Sequence, residues 1–415
     1  MIREGFGAVD IDLKPGDFEE RGFDYGDHRR SFPALENKLY FNHGGQGVMA
    51  WGVLQAIAQT YIHLQNIGPF SQESNAWSMV LIQKLRNRMA LELGVHPNTL
   101  TLTENVSAGC NIALWGMPWR SGDHILLSDC EHPSVVAVVQ ELQRRFGVRA
   151  STFNLVAALD RSNPTETLTQ NLQPNTRLVV VSHVLWNTGH LLPLKALVTA
   201  CQNFSEARQP VRVLVDGAQS VGMLPLDLQD LGADFYAFTS HKWWCGPEGV
   251  GGLYVSPQAM EELQPTFGGW RGITQDAQGQ PTGWHRDGRR YEVATSPYPL
   301  YGGLLEALNH QARWGNASQR YERIRSLSQS LWQQLQGIEG ITCIHPVPPK
   351  TGLVCFTLAN RSPQSLVQYL EQRHIYLRTL ANPSCARACT HYLNTEGEVN
   401  QLVAAIAEFM AAPPP

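Results

Sequence analysis

The 415-residue chain is short of charge: Asp, Glu, Lys and Arg make up 16% of it, and their balance leaves a net charge of −4. Soluble domains carry about 25% on average. So even a balance argues against a dedicated nucleic-acid binder, which needs a basic excess to meet phosphates. Any apolar run of the ~18–20 residues that a membrane-spanning helix requires is also lacking. Residues 1–17 include Arg3, Glu4, Asp10 and Asp12, so the start has no apolar centre of a secretory leader. The eight cysteines are scattered, none in a CxxC pair, far below the density of a disulfide scaffold. A reduced, cytoplasmic setting is expected. No HExxH occurs and the histidines lack regular ligand spacing, so no metal is expected.

With 43% hydrophobic residues and a mean hydropathy of −0.22, the chain is a globular one of two or three domains. Its 11 Trp and 14 His are many for so few charges. Residues 1–31 read as an irregular arm. From Phe32 onward strand-like and helix-length segments alternate. Val53–Leu64, Trp77–Leu93, Val135–Phe146 and Leu194–Asn203 have helical spacing. Leu100–Thr103, His124–Ser128, Leu178–Ser182, Val211–Val215 and Phe235–Phe238 read as strands, the last three apolar enough to be buried on both faces. This alternation predicts an α/β fold with a mostly parallel sheet over 32–296. After Ser296 the pattern changes. Helices Leu304–Trp314, Gln319–Leu335, Ser365–Arg373 and Glu396–Met410 enclose short strands at Ile341–His345, Leu353–Thr357 and Ile375–Arg378, which predicts a smaller α+β domain over 297–415.

Four segments gather polar groups where strands end, the place where open α/β sheets bind ligands. Val213–Gln219 carries an apolar strand into Asp216 and Gln219. Ala237–Gly252 runs from a strand through Ser240-His241-Lys242 into a glycine-rich turn. A lysine beside aromatic residues at a strand end suits Schiff-base chemistry, because burial favours its neutral amine. Thr103–Asn111 opens a helix with small residues, whose free amides and dipole suit a phosphate. His132, in Cys130–Ser134, follows a strand and is placed to stack on a flat ring. Each segment alone has an ordinary structural reading as a cap, a turn or a solvated side chain. Together they supply what pyridoxal 5'-phosphate (PLP) needs.

At these residues the sequence resembles the class V aminotransferases of fold type I, the group that contains cysteine desulfurases. Within that group the likeness is to the C–S lyases that act on cysteine and cystine. The shared stretches include Tyr40–Gly47, Asp129–His132, Leu185–Gly189, Val213–Ser220, His241–Trp243, Thr282–Trp284, Glu292–Ser296 and Ile375–Thr379. The resemblance implies a large PLP-binding domain with a mixed, mostly parallel sheet. It implies Lys242 as the lysine joined to the cofactor, Asp216 on the pyridine nitrogen, Gln219 on the phenolic oxygen and His132 stacked on the ring. Val106, Ser107 and Ala108 would hold the phosphate with Ser240 and His241, and Thr295 would reach it from a second subunit of a homodimer. Arg387 would grip the substrate carboxylate, Arg378 a second one, with His183 and Trp270 near the substrate.

A desulfurase carries a catalytic cysteine on a mobile loop ahead of that arginine. Here Cys385 is one residue from Arg387 and the stretch from Arg378 is short. Sulfur is therefore expected to leave by β-elimination, giving pyruvate, ammonia and a persulfide or sulfide, and the resemblance implies a sulfur supply for iron–sulfur clusters. The alternatives are a desulfurase, another class V enzyme such as an epimerase or transaminase, and a scaffold on a degenerate fold.

Overall fold

Valine- and leucine-rich runs can be buried on both faces of a sheet, and they build the centre of the molecule. The computed structural model describes residues 25–412 apart from 162, 205 and 207. Most of the expected arm and the Pro413–Pro415 tail lie outside the described residues. Seven strands form the main sheet: β1 (Leu100–Thr103), β2 (His124–Ser128), β3 (Arg149–Phe153), β4 (Thr176–Ser182), β5 (Arg212–Asp216), β6 (Phe235–Thr239) and β7 (Gly251–Val255). Their order is β1-β7-β6-β5-β4-β2-β3. Strand β7 runs antiparallel to both of its neighbours, while β6, β5, β4, β2 and β3 are mutually parallel.

Alternate side chains take opposite faces. Val179, Val181, Val213, Val215, Tyr236 and Phe238 join one core. Helices α1 (Trp51–Asn66) and α2 (Gln72–Leu93) lie on this side. Leu178, Val180, Leu214, Phe235 and Ala237 join the other core, under α3 (Val106–Gly116) and α4 (Pro133–Phe146). Gly109 lets α3 approach the sheet: a Cβ there would lie 2.9 Å from the Cβ of Ala237.

The C-terminal segment forms an antiparallel sheet. A hairpin β8 (Ile273–Gln275) and β9 (Pro281–Trp284) precedes it in the chain. The sheet itself has β10 (Ile341–Cys343), β11 (Leu353–Leu358), β12 (Arg378–Ala381) and β13 (Ser384–Cys389) in the order β10-β11-β13-β12. Phe356, Ala386 and Ala388 pack there with Leu331, Leu370 and Ile406 from the last three helices, and with Phe41 from the start of the chain. Among the described residues no helix is long and apolar enough to cross a membrane.

The apolar strands of the main sheet lie within two residues of their expected places. Several elements were not predicted. Strand β3 reads Arg-Ala-Ser-Thr-Phe and is only partly buried, as an edge strand is, so it lacks the apolar signal. Strand β7 begins inside the glycine-rich turn. The expected strand Ile375–Arg378 is divided: Ile375 and Tyr376 pair with Leu39 and Tyr40, while Arg378 begins β12.

A buried ion-pair cluster ties β1 to the segment that ends at Ser296. Glu292 accepts from Arg86 at 2.7 Å, from Arg271 at 3.1 Å and from the Leu102 amide at 3.1 Å. All three side chains are nearly inaccessible. Removing the acid leaves two buried guanidinium groups without their counter-ion, a change that costs about 3–5 kcal/mol. Glu292→Ala should therefore lower the unfolding free energy extrapolated from urea melts by that amount, and Glu292→Gln by less.

Candidate active site

The carboxyl ends of parallel strands share one rim of the sheet, so Ser128, Ser182, Asp216 and Thr239 reach the same edge. Ser182 lies opposite Asp216 in the β4–β5 register, and Asp216 opposite Ala237. Lys242 follows β6 in a tight passage. The amide of Gly47 donates to the His241 carbonyl at 2.6 Å, and a Cβ on Gly47 would lie 2.0 Å from the Lys242 carbonyl oxygen. Only glycine allows that approach.

Electrostatics bind these groups into one site. Burial pulls Lys242 down from 10.5 to about 8; Asp216 opposes the shift, and Arg387 and Arg378 add to it. Burial pushes the Asp216 carboxyl up, while the Ala218 amide, Lys242 and His132 hold it down. The Ala218 amide donates to Asp216 Oδ1 at 2.9 Å. His132 is lowered by burial and by Lys242 and Arg378, against Asp216. Its Nδ1 lies 2.8 Å from the Ser134 hydroxyl, which is 3.4 Å from that of Ser107 at the start of α3. The Trp186 ring stands edge-on to His132 at 5.6 Å.

The hairpin β12–β13 brings two arginines to this rim. Arg378 and Arg387 are direct partners in its register. Like charges placed opposite one another destabilise a sheet. Arg387 is 1% exposed, and one of its nitrogens, Nη1, donates to the Trp186 carbonyl at 2.7 Å. Its Nε and Nη2 are buried without a hydrogen-bond partner. Two orphaned donors on one planar fork are the complement of a carboxylate.

Not every expected residue is turned to the site. Asn105 caps α3, and its Oδ1 takes the Ala108 amide at 3.0 Å. That donor is committed, which leaves Val106 and Ser107 at the first turn. The buried Ser240 hydroxyl shares its one proton between the carbonyls of Pro247 and Val250, so it shapes the turn after Lys242. His241 Nδ1 lies 2.6 Å from the Thr239 hydroxyl. His183 is buried with Nδ1 on the Tyr236 hydroxyl at 2.8 Å, and burial pushes it down to about 4. It sits under Asp216 through its own amide, which donates to the Asp216 carbonyl at 3.1 Å. Thr295 is exposed, and so is Trp270 at 52%. Neither joins the Lys242 cluster within one chain.

Sequence reasoning missed Ser134 and Glu131. Glu131 accepts from Ser128 and from the amide and hydroxyl of Ser182, each of the latter at 3.0 Å, and so ties the His132 loop to β4. The signal was present, a carboxylate next to the stacking histidine.

The Lys242–Asp216 pair, the Gln219 amide, the open first turn of α3 and the orphaned Arg387 donors fit PLP and an amino-acid carboxylate. The family model for aminotransferase class V matches residues 40–405. The chain is 48% identical to C-DES, a cystine C–S lyase solved in complex with its reaction product cysteine persulfide; the match covers 91% of this chain and 99% of that one, with a TM-score of 0.88. A C-DES variant with glycine covalently linked to its PLP cofactor gives a TM-score of 0.90 at 48% identity, over 92% of this chain and 99% of that one. Isopenicillin N epimerase from Streptomyces clavuligerus is 32% identical over 67% of this chain and 71% of its own. A cysteine desulfurase from Escherichia coli O127:H6 is 27% identical over 90% of this chain and 95% of its own.

Proposed function

The chain belongs to the class V aminotransferase family, and from that premise we propose that it is a PLP-dependent C–S lyase. Its reaction is β-elimination on L-cystine or L-cysteine. Cystine and water give pyruvate, ammonia and cysteine persulfide; cysteine gives sulfide in place of the persulfide. One observation carries the reading: two arginines face each other in the β12–β13 register, the buried one with two orphaned donors, beside a lysine of lowered basicity.

Bound PLP supplies an electron sink for charge that develops at the substrate Cα. The chain does the rest. Arg387 binds the α-carboxylate through Nε and Nη2 and so fixes which Cα bond faces the lysine. Lys242 takes the Cα proton on Nζ, a task suited to an amine lowered to about 8. Asp216 holds negative charge at the ring nitrogen, His132 covers the ring, Gln219 donates to its phenolic oxygen, and Val106 and Ser107 meet the phosphate. Arg378, at the mouth, takes the second carboxylate of cystine. Persulfide leaves more readily than sulfide because its conjugate acid is the stronger one.

The hairpin also favours elimination over sulfur transfer to the enzyme. Only residues 382 and 383 separate β12 from β13, and Cys385 and Cys389 are buried within β13. No loop there can swing a thiol over the substrate. Iron–sulfur cluster assembly is one process that would use the sulfur released.

A homodimer completes the picture. Tyr61, Ile62, Met79 and Val80 expose apolar surface on α1 and α2, and Thr295 and Trp270, both exposed, would serve a second copy, Thr295 at its phosphate. We assign residues 32–296 to the PLP-binding domain, 297–415 to the small one, and the chain to the cytoplasm, where its eight free cysteines stay reduced.

The test is product identification with cystine and cysteine side by side. Pyruvate with a trapped persulfide from cystine supports the lyase. Alanine with a persulfide on an enzyme cysteine would overturn it in favour of a desulfurase.

A further inference from the structure

Behind Lys242 lies a buried cluster that the proposed chemistry leaves unused: His43, Cys245 and His391, whose ligand atoms fall within 4.8 Å of one another. Both nitrogens of His43 and Nδ1 of His391 are buried without a hydrogen-bond partner. A metal does not fit there. The two imidazoles are stacked at 4.1 Å with planes 7° apart. A metal about 2.0–2.1 Å from a ring nitrogen lies close to that ring's plane, and two face-to-face parallel planes share no such point.

Trp243 flanks this pair, 6.0 Å from His391 and 6.5 Å from His43, with interplanar angles near 30°. Trp243 is fully buried, and its carbonyl accepts from Gln311 Nε2 at 3.0 Å and His391 Nε2 at 3.2 Å. Its indole nitrogen donates to Gln219 Oε1 at 3.0 Å. His43 precedes Gly44, whose carbonyl accepts from Gln219 Nε2 at 2.8 Å. An indole N–H only donates and a carbonyl only accepts. The Gln219 amide is therefore held in one of its two orientations, with one N–H left over.

We propose that the buried cluster of Trp243 and the stacked His391–His43 pair is a positioning device that locks the Gln219 amide so that its remaining N–H faces the cofactor's phenolic oxygen. Trp243 and the residues behind it touch neither substrate nor cofactor; they act through Gln219. The inference rests on the PLP reading above. Freed of the indole N–H, the amide can turn its oxygen toward an oxygen, and a donor becomes a repulsive acceptor.

The test uses the full chain stripped of PLP, retitrated by fluorescence and visible absorbance, with thermal melting of the cofactor-free protein alongside. Trp243→Phe should weaken PLP binding about three- to tenfold, the worth of one hydrogen bond, and shift the pH midpoint of the visible band. Gln219→Met should do the same, and the double variant should show no further loss. A Trp243→Phe protein with the affinity and band of the parent overturns the proposal, as does a loss that adds in full to that of Gln219→Met. If Trp243→Phe does not fold, benzothienylalanine at 243 keeps the bicyclic shape and removes only the N–H. A parent chain that binds no PLP would instead sink the cofactor reading, so the two failures are distinguishable.

Discussion

Replacing Lys242 with alanine should cut cystine turnover by about 10⁴-fold or more, the upper end of what one positioned proton-transferring group supplies. The cofactor should become removable by dialysis while the variant keeps its fold. Lys242 also gives a pH signature. Its amine is lowered by burial from 10.5 to about 8, so PLP capture by the stripped protein, which needs the neutral amine, should accelerate as pH rises through about 8 and level off above it. The stability sign follows from the same shift. Between about 8 and 10.5 the unfolded chain holds a proton on this lysine that the folded chain has lost. Stability from this group therefore rises with pH across that window and is flat below it. Lys242→Met should remove that rise in a series of urea melts. Capture that accelerates only near pH 10.5 would show that burial does not tune the lysine.

What was legible in the sequence had a local cause. The strands at 178–182, 212–216 and 235–239 are continuous apolar runs, and burial on both faces is what such a run requires. Asp216 and Lys242 were visible because each stands where such a strand ends. Strand β3 was hidden because an edge strand needs no apolar run, and the hairpin β8–β9 because its residues are largely exposed. Hydrogen-bond direction was not legible. The resemblance implies phosphate roles for Ala108 and Ser240, but a donor's direction depends on the nearest acceptor, and here Asn105 and the carbonyls of Pro247 and Val250 lie closest. The same holds for His183, just past β4, whose Nδ1 meets the Tyr236 hydroxyl of β6. Thr295 and Trp270 lie at the surface of one chain, so a sequence-based role for them rests wholly on a second copy. The pairing of Arg378 with Arg387 was out of reach too, because nothing in the sequence marks Ser384–Cys389 as a strand.

That pairing makes Arg387 the second large effect. Truncating one partner of a buried, hydrogen-bonded charge pair costs about 2–5 kcal/mol, so Arg387→Ala should lower kcat/KM for cystine roughly 30- to 5,000-fold. Arg387→Lys should recover only part of it, because an ammonium is a point charge and cannot present two parallel donors. Arg378 is exposed at the mouth. Its removal should raise KM for cystine, which has a carboxylate at each end, and leave cysteine nearly unaffected. Equal losses on both substrates would place Arg378 on the α-carboxylate instead. Stability should move the other way. In the free protein Arg387 carries two buried donors without acceptors and faces a like charge across the hairpin. Arg387→Met removes both penalties while keeping much of the volume, so the cofactor-free variant should melt no lower than its parent, and higher if the freed space packs well. A substrate carboxylate reverses that balance, since it satisfies both donors and screens the two guanidinium groups from one another. A higher melting temperature for Arg387→Met than for its parent would be the mark of binding groups held ready at the expense of stability.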